Sequence, residues 1–145
     1  MRVANMQSSR GFTLVEVMIV VAIIGTLSTI AVMSYDSYIK KGQRASAQQL
    51  MLNIASRQQQ YMLDARNYSA TIGSGGLGVT SEGWSCAAST CSNTRYSVVV
   101  AVAAGSPPTF TVTGTPLGAQ AGDGTLTLNN LGQKTRMVGG TDKGW

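Results

Sequence analysis

The strongest pattern in this chain is an apolar stretch near its N-terminus. Residues 12–33 contain one charged side chain, Glu16, in a run of hydrophobic and small residues. As an α-helix this run would be roughly 33 Å long, which is enough to cross the hydrocarbon core of a bilayer. A carboxylate inside such a segment costs on the order of a few kcal/mol, and less near an end than at the centre. The pattern therefore predicts a membrane-spanning helix whose acid needs a cationic partner.

Three simpler interpretations of this stretch compete with a functional one. A cleaved secretory signal would explain the preceding Arg2 and Arg10. However, the stretch is longer than the usual signal core, contains an acid and precedes no convincing small-x-small cleavage site. An ordinary membrane anchor would explain the length but not Glu16. A buried core helix is disfavoured because such a long apolar run is unusual in so short a chain.

Beyond residue 33 the pattern continues as a helix with one apolar face. The stripe recurs at intervals of three and four residues, at Ala47, Leu50, Met51, Ile54, Gln58, Tyr61, Met62 and Ala65. The opposite face is predicted to carry Arg44, Arg57 and Arg66. No Pro or Gly cluster interrupts the pattern, so one helix is predicted over residues 12–66, roughly 80 Å long.

Residues 67–93 are rich in Gly, Ser and Thr, which predicts a loop. Within it, residues 73–78 fit the pattern G-x-G-x-x-G literally. A dinucleotide site would also need a strand before this motif, a helix after it and an acid about twenty residues further on. The sequence indicates none of these, so nucleotide binding is not predicted.

From residue 94 the hydrophobic period becomes two, which is typical of half-buried strands. Four strands are predicted, at residues 96–102, 109–115, 125–128 and 133–137. Their inward Val, Phe and Leu side chains need a cover, and the apolar face of the helix is available. The predicted fold is α+β, with a long N-terminal helix packed on a three- to four-stranded antiparallel sheet.

Composition narrows the possible chemistry. The 145 residues include no histidine, which removes Ser-His-Asp and Cys-His catalysis and histidine metal sites. The six acids are scattered rather than paired. No enzyme, metal site or cofactor is therefore predicted.

The hexapeptide of residues 11–16, Gly-Phe-Thr-Leu-Val-Glu, resembles the processing site of type IV prepilins and of the related type II secretion pseudopilins. The resemblance implies that a prepilin peptidase cleaves between Gly11 and Phe12 and that the new Phe12 amine is N-methylated. It also implies that Glu16 pairs with the N-terminal amine of a neighbouring subunit during assembly, which would supply the missing cation.

The resemblance divides the chain into a leader (residues 1–11), a transmembrane and filament-core helix (residues 12–33) and a globular head (residues 34–145). Leaders in this family are often six or seven residues long, so Met6 is an alternative start to Met1. Many members have a proline at the position of Met33, and a methionine lacks the helix-breaking effect of proline. Without the leader, nine Lys and Arg face six acids, a side-chain charge of +3.

Cys86 and Cys91 are the only cysteines. In an exported head they are predicted to form a disulfide. A zinc site would need further ligands, and a redox pair would normally be spaced C-x-x-C, so both are weaker alternatives.

The C-terminal half resembles PilE-like pilins more loosely, at residues 110–116, 124–134 and 142–145. Such pilins commonly place a second cysteine pair late in the chain, and here Gly144 occupies one of those positions. Trp145 is predicted to be a packed anchor, with an exposed adhesive tip as the alternative.

The predicted function is that of a structural type IV pilus subunit, a minor pilin more than a major one, supporting pilus biogenesis, twitching motility or adhesion. The expected location is the inner membrane of a Gram-negative bacterium and then the extracellular pilus. Expected partners are other pilin subunits, the prepilin peptidase and the inner-membrane assembly platform. The alternatives are a type II secretion pseudopilin and a DNA-capturing competence pilin, the latter using a basic patch at Lys134, Arg136 and Lys143.

Overall fold

The computed structural model describes residues 11–145. The chain divides into two units, one ending at Tyr38 and one spanning Ile39–Trp145. Helix α1, Leu14–Ala65, begins in the first unit and ends in the second. Apart from Gly11, the predicted leader and the two alternative start residues lie outside the described part of the chain.

The apolar part of α1 has exposed side chains throughout residues 12–30. Among the described residues, α1 is the helix that is long and apolar enough to cross a membrane. The hydroxyls of Thr26, Ser28 and Thr29 donate to backbone carbonyls three or four residues earlier, at 2.7–2.9 Å. These polar groups are satisfied within the helix, as a lipid environment requires. The helix continues without a break through Gly25.

Helix α1 ends where the sequence pattern predicts. Arg66 adopts a left-handed conformation with φ 54°, and its N–H donates to the Met62 carbonyl at 3.0 Å. A single left-handed residue after the last turn is a common helix stop. The next segment is then tied to the helix by Gln58, whose amide group donates to the Ser69 carbonyl at 2.6 Å and accepts from the Ser69 N–H at 2.9 Å.

The second unit contains one antiparallel sheet whose strands pair in chain order. The strands are β1 (Ser85–Ala87), β2 (Thr90–Ser92), β3 (Tyr96–Ala103), β4 (Thr109–Pro116), β5 (Thr125–Asn129), β6 (Lys134–Val138) and β7 (Thr141–Asp142). A 3₁₀ helix, η1, spans Gly118–Asp123 between β4 and β5. A long helix with an antiparallel sheet is the predicted α+β type IV pilin fold, which is therefore confirmed.

The structure adds detail that the hydrophobic pattern did not predict. The four predicted strands correspond to β3 to β6, whereas the sheet has seven strands because β1, β2 and β7 extend its two sides. The β1–β2 hairpin lies within the loop predicted over residues 67–93. Strands of two or three residues are too short to show a period of two, so only pairing with their neighbours reveals them.

The core of the second unit lies between α1 and one face of the sheet. From the helix, Ala47, Leu50, Met51 and Ile54 are buried. From the sheet, the buried side chains are Tyr96, Val98, Val100, Phe110, Val112, Leu126 and Leu128. A Cβ at Gly114 of β4 would lie 3.1 Å from the Met51 sulfur, so a glycine at that point allows the helix to approach closely. The predicted cover of the sheet by the second half of the helix is thus observed.

The glycine-rich segment of residues 73–78 forms tight turns closed by its own backbone. The N–H groups of Gly76 and Gly78 donate to the Gly73 carbonyl at 3.3 and 3.1 Å. The Leu77 N–H donates to the Thr71 carbonyl at 2.9 Å, and Leu77 itself is buried. A Cβ at Gly76 would collide with Thr71. These glycines are explained by close packing of the loop, in which the N–H groups of Gly76, Leu77 and Gly78 already have partners.

Candidate functional site

The acid of the apolar segment lies in the first turn of α1, one turn after a capping residue. The Thr13 hydroxyl accepts a hydrogen bond from the Glu16 N–H at 3.2 Å. Thr13 is therefore the N-cap, and the spacing of Thr13 and Glu16 is that of a capping box. A carboxylate at this position is favoured by the partial positive charge of the helix N-terminus. The helix N-terminus therefore stabilises the Glu16 carboxylate even in the absence of a partner.

The two residues at the predicted processing site precede the helix. Gly11 and Phe12 are exposed and have no regular secondary structure, and the Phe12 side chain is 80 % exposed. Exposed segments without regular secondary structure are the preferred sites of proteolysis. The geometry is compatible with cleavage between them, which stays a prediction.

The two cysteines form the predicted disulfide, which links directly opposed residues of β1 and β2. The hairpin turn between them points back toward the glycine-rich loop. The Ala88 carbonyl accepts from the Ile72 N–H at 2.6 Å and from the Gly73 N–H at 3.3 Å. Closing so short a loop stabilises a protein by about 2 kcal/mol in the chain-entropy model. The disulfide therefore holds the hairpin that in turn anchors the loop.

The basic patch predicted from sequence is only partly a free surface. Lys134 is exposed, with its Nζ 5.2 Å from the Trp145 ring centroid. Lys143 is exposed, and its N–H donates to the Arg136 carbonyl at 2.9 Å. Arg136 itself is turned inward, because its Nη1 lies 3.5 Å from a carboxylate oxygen of Asp123. The structure brings the three residues together, but one of the three charges is already paired.

The C-terminus is anchored to strand β6. The Trp145 indole N–H donates to the Thr135 carbonyl at 2.9 Å, and the half-buried ring packs against the core. The Asp142 carboxylate accepts from the N–H groups of Arg136 and Gly144, and these bonds hold the pKa of Asp142 below its usual range. The prediction of a packed Trp145 is confirmed.

A buried polar cluster around Asp123 was not predicted from sequence. The Asp123 side chain is 8 % exposed and lies 3.1 Å from Arg44 Nε as well as 3.5 Å from Arg136 Nη1. The Tyr96 hydroxyl donates to Asp123 Oδ2 at 2.7 Å, and the Gln120 amide donates to the same oxygen at 2.8 Å. One carboxylate thus joins α1, β3, η1 and β6.

Two members of this cluster, Tyr96 and Gln120, are fully buried. Gln120 also donates to the Lys40 carbonyl at 2.9 Å, which ties η1 to the helix backbone. Burial, followed by the hydrogen bond to Asp123, raises the pKa of Tyr96 to about 12. Tyr96 therefore remains a neutral hydrogen-bond donor at any physiological pH.

The position of Arg44 corrects the helical-face prediction. Arg44 was predicted on the solvent side of the helix, whereas its side chain is only 16 % exposed and faces Asp123. The one sequence signal near this cluster was the dipeptide Asp123-Gly124, which was predicted as a turn. Gly124 does adopt a positive φ of 94°, but the dipeptide does not reveal the carboxylate's partners.

The chain matches two protein-family models. Residues 33–128, more than half of the chain, match the model described as "Type IV minor pilin ComP, DNA uptake sequence receptor". Residues 6–32 match the model described as "Prokaryotic N-terminal methylation motif". The second match includes the predicted processing site and most of the apolar stretch.

Several curated pilus proteins are similar to part of the chain. Fimbrial protein EcpC of Eikenella corrodens is 35 % identical over 77 residues, which are 53 % of this chain and 50 % of EcpC. Fimbrial protein Q of Moraxella bovis is 55 % identical over 38 residues, which are 26 % of this chain and 24 % of that protein. A probable minor fimbrial protein of Dichelobacter nodosus is 53 % identical over 38 residues, with the same two coverages of 26 % and 24 %.

The chain therefore spans half or less of the length of these curated relatives. No solved structure matches it. The family assignment rests on the minor pilin model, which covers the second half of α1 and the sheet through β5. By that match the chain belongs to the type IV minor pilin ComP family, and it is a type IV pilin.

Proposed function

We propose that this chain is a minor subunit of a type IV pilus. Residues 12–33 hold it in the inner membrane of a Gram-negative bacterium, from which it enters the extracellular filament and supports pilus biogenesis, twitching motility or adhesion. The observation that carries this proposal is the match of residues 33–128 to the minor pilin model. The probable minor fimbrial protein among the relatives supports the same assignment.

Maturation in this proposal begins at the exposed segment before α1. A prepilin peptidase cleaves between Gly11 and Phe12, and Phe12 is then N-methylated. The match of residues 6–32 to the methylation motif supports this step. The new amine carries a positive charge and lies four residues before Glu16.

Assembly in this proposal exchanges lipid for neighbouring helices. The inner-membrane assembly platform transfers the subunit to the growing filament, where the apolar side chains of residues 12–30 pack against other pilins. Close packing decides the stability of such contacts because lipid and helix are similarly apolar. The Glu16 carboxylate meets the Phe12 amine of the next subunit, and this pairing offsets the cost of burying a charge.

A type II secretion pseudopilin is the nearest alternative, since it would share the N-terminal segment. The minor pilin model extends through the hairpin closed by the disulfide and through the central strands. This extent favours the pilus over the secretion system.

Sheared pili provide the direct test of the pilus assignment. We expect quantitative mass spectrometry of a sheared-pilus fraction to detect this chain at a small fraction of the amount of the major pilin, with its N-terminal peptide beginning at methylated Phe12. Cells that lack the assembly platform are the control, because their sheared fraction should lose the chain. Its presence only in membranes of piliated cells would contradict the proposal.

DNA capture is a second candidate function. It is favoured by the description of the matching family model as a DNA uptake sequence receptor. The second unit carries nine lysines and arginines against four acids (Asp64, Glu82, Asp123 and Asp142). Such an excess favours contact with phosphates. Lys134 and Lys143 are the exposed members of the predicted patch, and both sit on the β6–C-terminal segment.

If this surface binds DNA, the double variant Lys134→Gln/Lys143→Gln should weaken binding by the full-length chain in neutral-lipid nanodiscs. Two phosphate contacts, one from each lysine, would lower affinity about 12-fold between 50 and 200 mM salt, and each lost contact should make that dependence shallower. The matched control is Lys40→Gln/Lys41→Gln, which removes equal charge elsewhere. Equal binding by both double variants, or no binding by the native chain at low salt, would exclude this patch.

A further inference from the structure

Five basic residues come from the elements that meet at η1, namely α1, β6 and the C-terminal segment. We define this basic cluster as Lys40, Lys41, Arg44, Arg136 and Lys143. Its members are connected through η1 and β6: Gln120 of η1 binds the Lys40 carbonyl, and Asp123 of η1 binds both arginines. The Lys143 N–H donates to the Arg136 carbonyl, and Lys41 directly follows Lys40 in the helix.

The acids near the basic cluster do not neutralise it. Asp123 is almost buried and lies between the two arginines, so one negative charge faces two positive ones. Asp142 accepts hydrogen bonds from the backbone of Arg136 and Gly144. Asp36 precedes Lys40 by four residues on α1, so five cations stand beside three carboxylates, and the exposed part of the surplus belongs to the lysines. Such a surface favours an anionic partner.

The position of two of these lysines in the chain identifies the kind of anion. Lys40 follows Met33, the last residue of the apolar stretch, by seven positions. These residues belong to α1, and seven helical residues span about 10 Å. Headgroups extend several Å beyond the hydrocarbon core, and charges act over a Debye length of about 8 Å. Lys40 and Lys41 therefore lie within electrostatic reach of the headgroups whenever residues 12–33 span the bilayer.

We propose that the basic cluster binds the phosphate groups of anionic lipids at the membrane surface while the subunit waits for assembly. This inference rests on the membrane stage of the proposed function. The apolar stretch ends seven residues before Lys40, and this short connection gives a weak phosphate contact a high effective concentration that free DNA lacks. Basic residues near a membrane are attracted to anionic lipid in this way. This contact with lipid phosphates retains unassembled subunits at the bilayer surface. It breaks when a subunit leaves the membrane for the filament.

The test uses the full-length chain in nanodiscs of neutral lipid and in nanodiscs containing anionic phosphatidylglycerol. Hydrogen exchange of residues 39–44 and 117–123 is expected to be several-fold slower in the anionic discs, and high salt should abolish the difference. The variant Lys40→Gln/Lys41→Gln should lose this protection. The matched variant Arg57→Gln/Lys134→Gln, which removes two charges outside the basic cluster, should keep it. All four side chains are exposed, so both variants should fold.

Equal exchange in the two kinds of disc would overturn the proposal, as would equal loss of protection in the two variants. Inorganic phosphate added to neutral discs should not reproduce the protection, and if it did, the site would belong to free phosphate. Stronger protection by duplex DNA at equal phosphate concentration would assign the surface to DNA instead. The pilus assignment is tested separately, because it depends on the sheared-pilus fraction and not on hydrogen exchange.

Discussion

Replacing Glu16 by valine is expected to lower the amount of this chain in sheared pili at least tenfold while its level in the membrane is unchanged. The amount of the chain in the membrane should not change, because inserting valine into lipid costs less free energy than inserting a carboxylate. The filament level should fall because the Phe12 amine of the neighbouring subunit would then be buried without an anion. A hydrogen-bonded charge contributes about 1.5–3 kcal/mol, and each 1.4 kcal/mol is a factor of ten. Immunoblots of sheared and membrane fractions measure both quantities.

Two further variants separate the charge of Glu16 from its place in the helix. Glu16→Gln keeps the shape of the side chain without its charge, and we expect it to behave like the valine variant. Thr13→Ala removes the observed cap on the Glu16 N–H but keeps the carboxylate. It should cost about 1 kcal/mol of helix stability and leave incorporation close to that of the native chain. Native incorporation of Glu16→Gln would show that the carboxylate is not the assembly contact.

Replacing Asp123 by asparagine should destabilise the second unit by about 3 kcal/mol. Removing one partner of a buried ion pair leaves the remaining charge uncompensated, and here Arg44 and Arg136 both lose their anion. Denaturant unfolding of the full-length chain in detergent, followed by Trp fluorescence, measures the loss. Asp64→Asn is the matched control, because Asp64 is exposed and the change should stay within about 0.5 kcal/mol. Equal stability of the two variants would show that the Asp123 cluster does not hold the fold together.

The titration of Tyr96 provides an independent measure of the same contact. In the native chain the pKa of Tyr96 is raised to about 12 from 10.0, first by burial and then by Asp123. The pKa of Tyr96 should fall in Asp123→Asn, because the hydrogen bond to Asp123 and the charge of Asp123 both raise it in the native chain. Since the folded state holds this proton more tightly, its stabilising effect is complete below pH 10 and is lost as pH rises toward about 12. The loss is about 1.4 kcal/mol per pH unit. Tyrosinate absorbance gives the pKa, and Tyr96→Phe should remove this part of the pH dependence.

The sequence predicted the elements whose signals are local and long. The apolar stretch and the amphipathic half of α1 repeat one pattern over many residues, and strands β3 to β6 alternate clearly enough to be located. The β1–β2 hairpin escaped prediction because each strand has three residues, and its register is set by the disulfide and by the pairing of Cys91 with Val98. A three-residue segment carries too little periodicity to be recognised alone.

The polar cluster was beyond sequence analysis for a different reason. Asp123 meets Arg44 and Tyr96 across large separations in the chain, and no local pattern encodes such a meeting. The sequence predicts Arg44 on the solvent face, because the residue pattern does not distinguish an arginine beside the apolar stripe from one opposite it. The sequence predicts Arg136 in a nucleic-acid patch, because it shows the charge of Arg136 but not the pairing with Asp123.

The sequence by itself determined the helix and its acid, the expected disulfide and the alternating central strands, since these follow from neighbouring residues and from the chemistry of side chains in lipid or in an exported head. It also predicted the pilin fold, which the helix and sheet confirm. Only the tertiary structure decided which charges are free and which are paired. Pairing depends on distances between residues far apart in the chain, and folding sets those distances when α1, η1 and β6 close around Asp123.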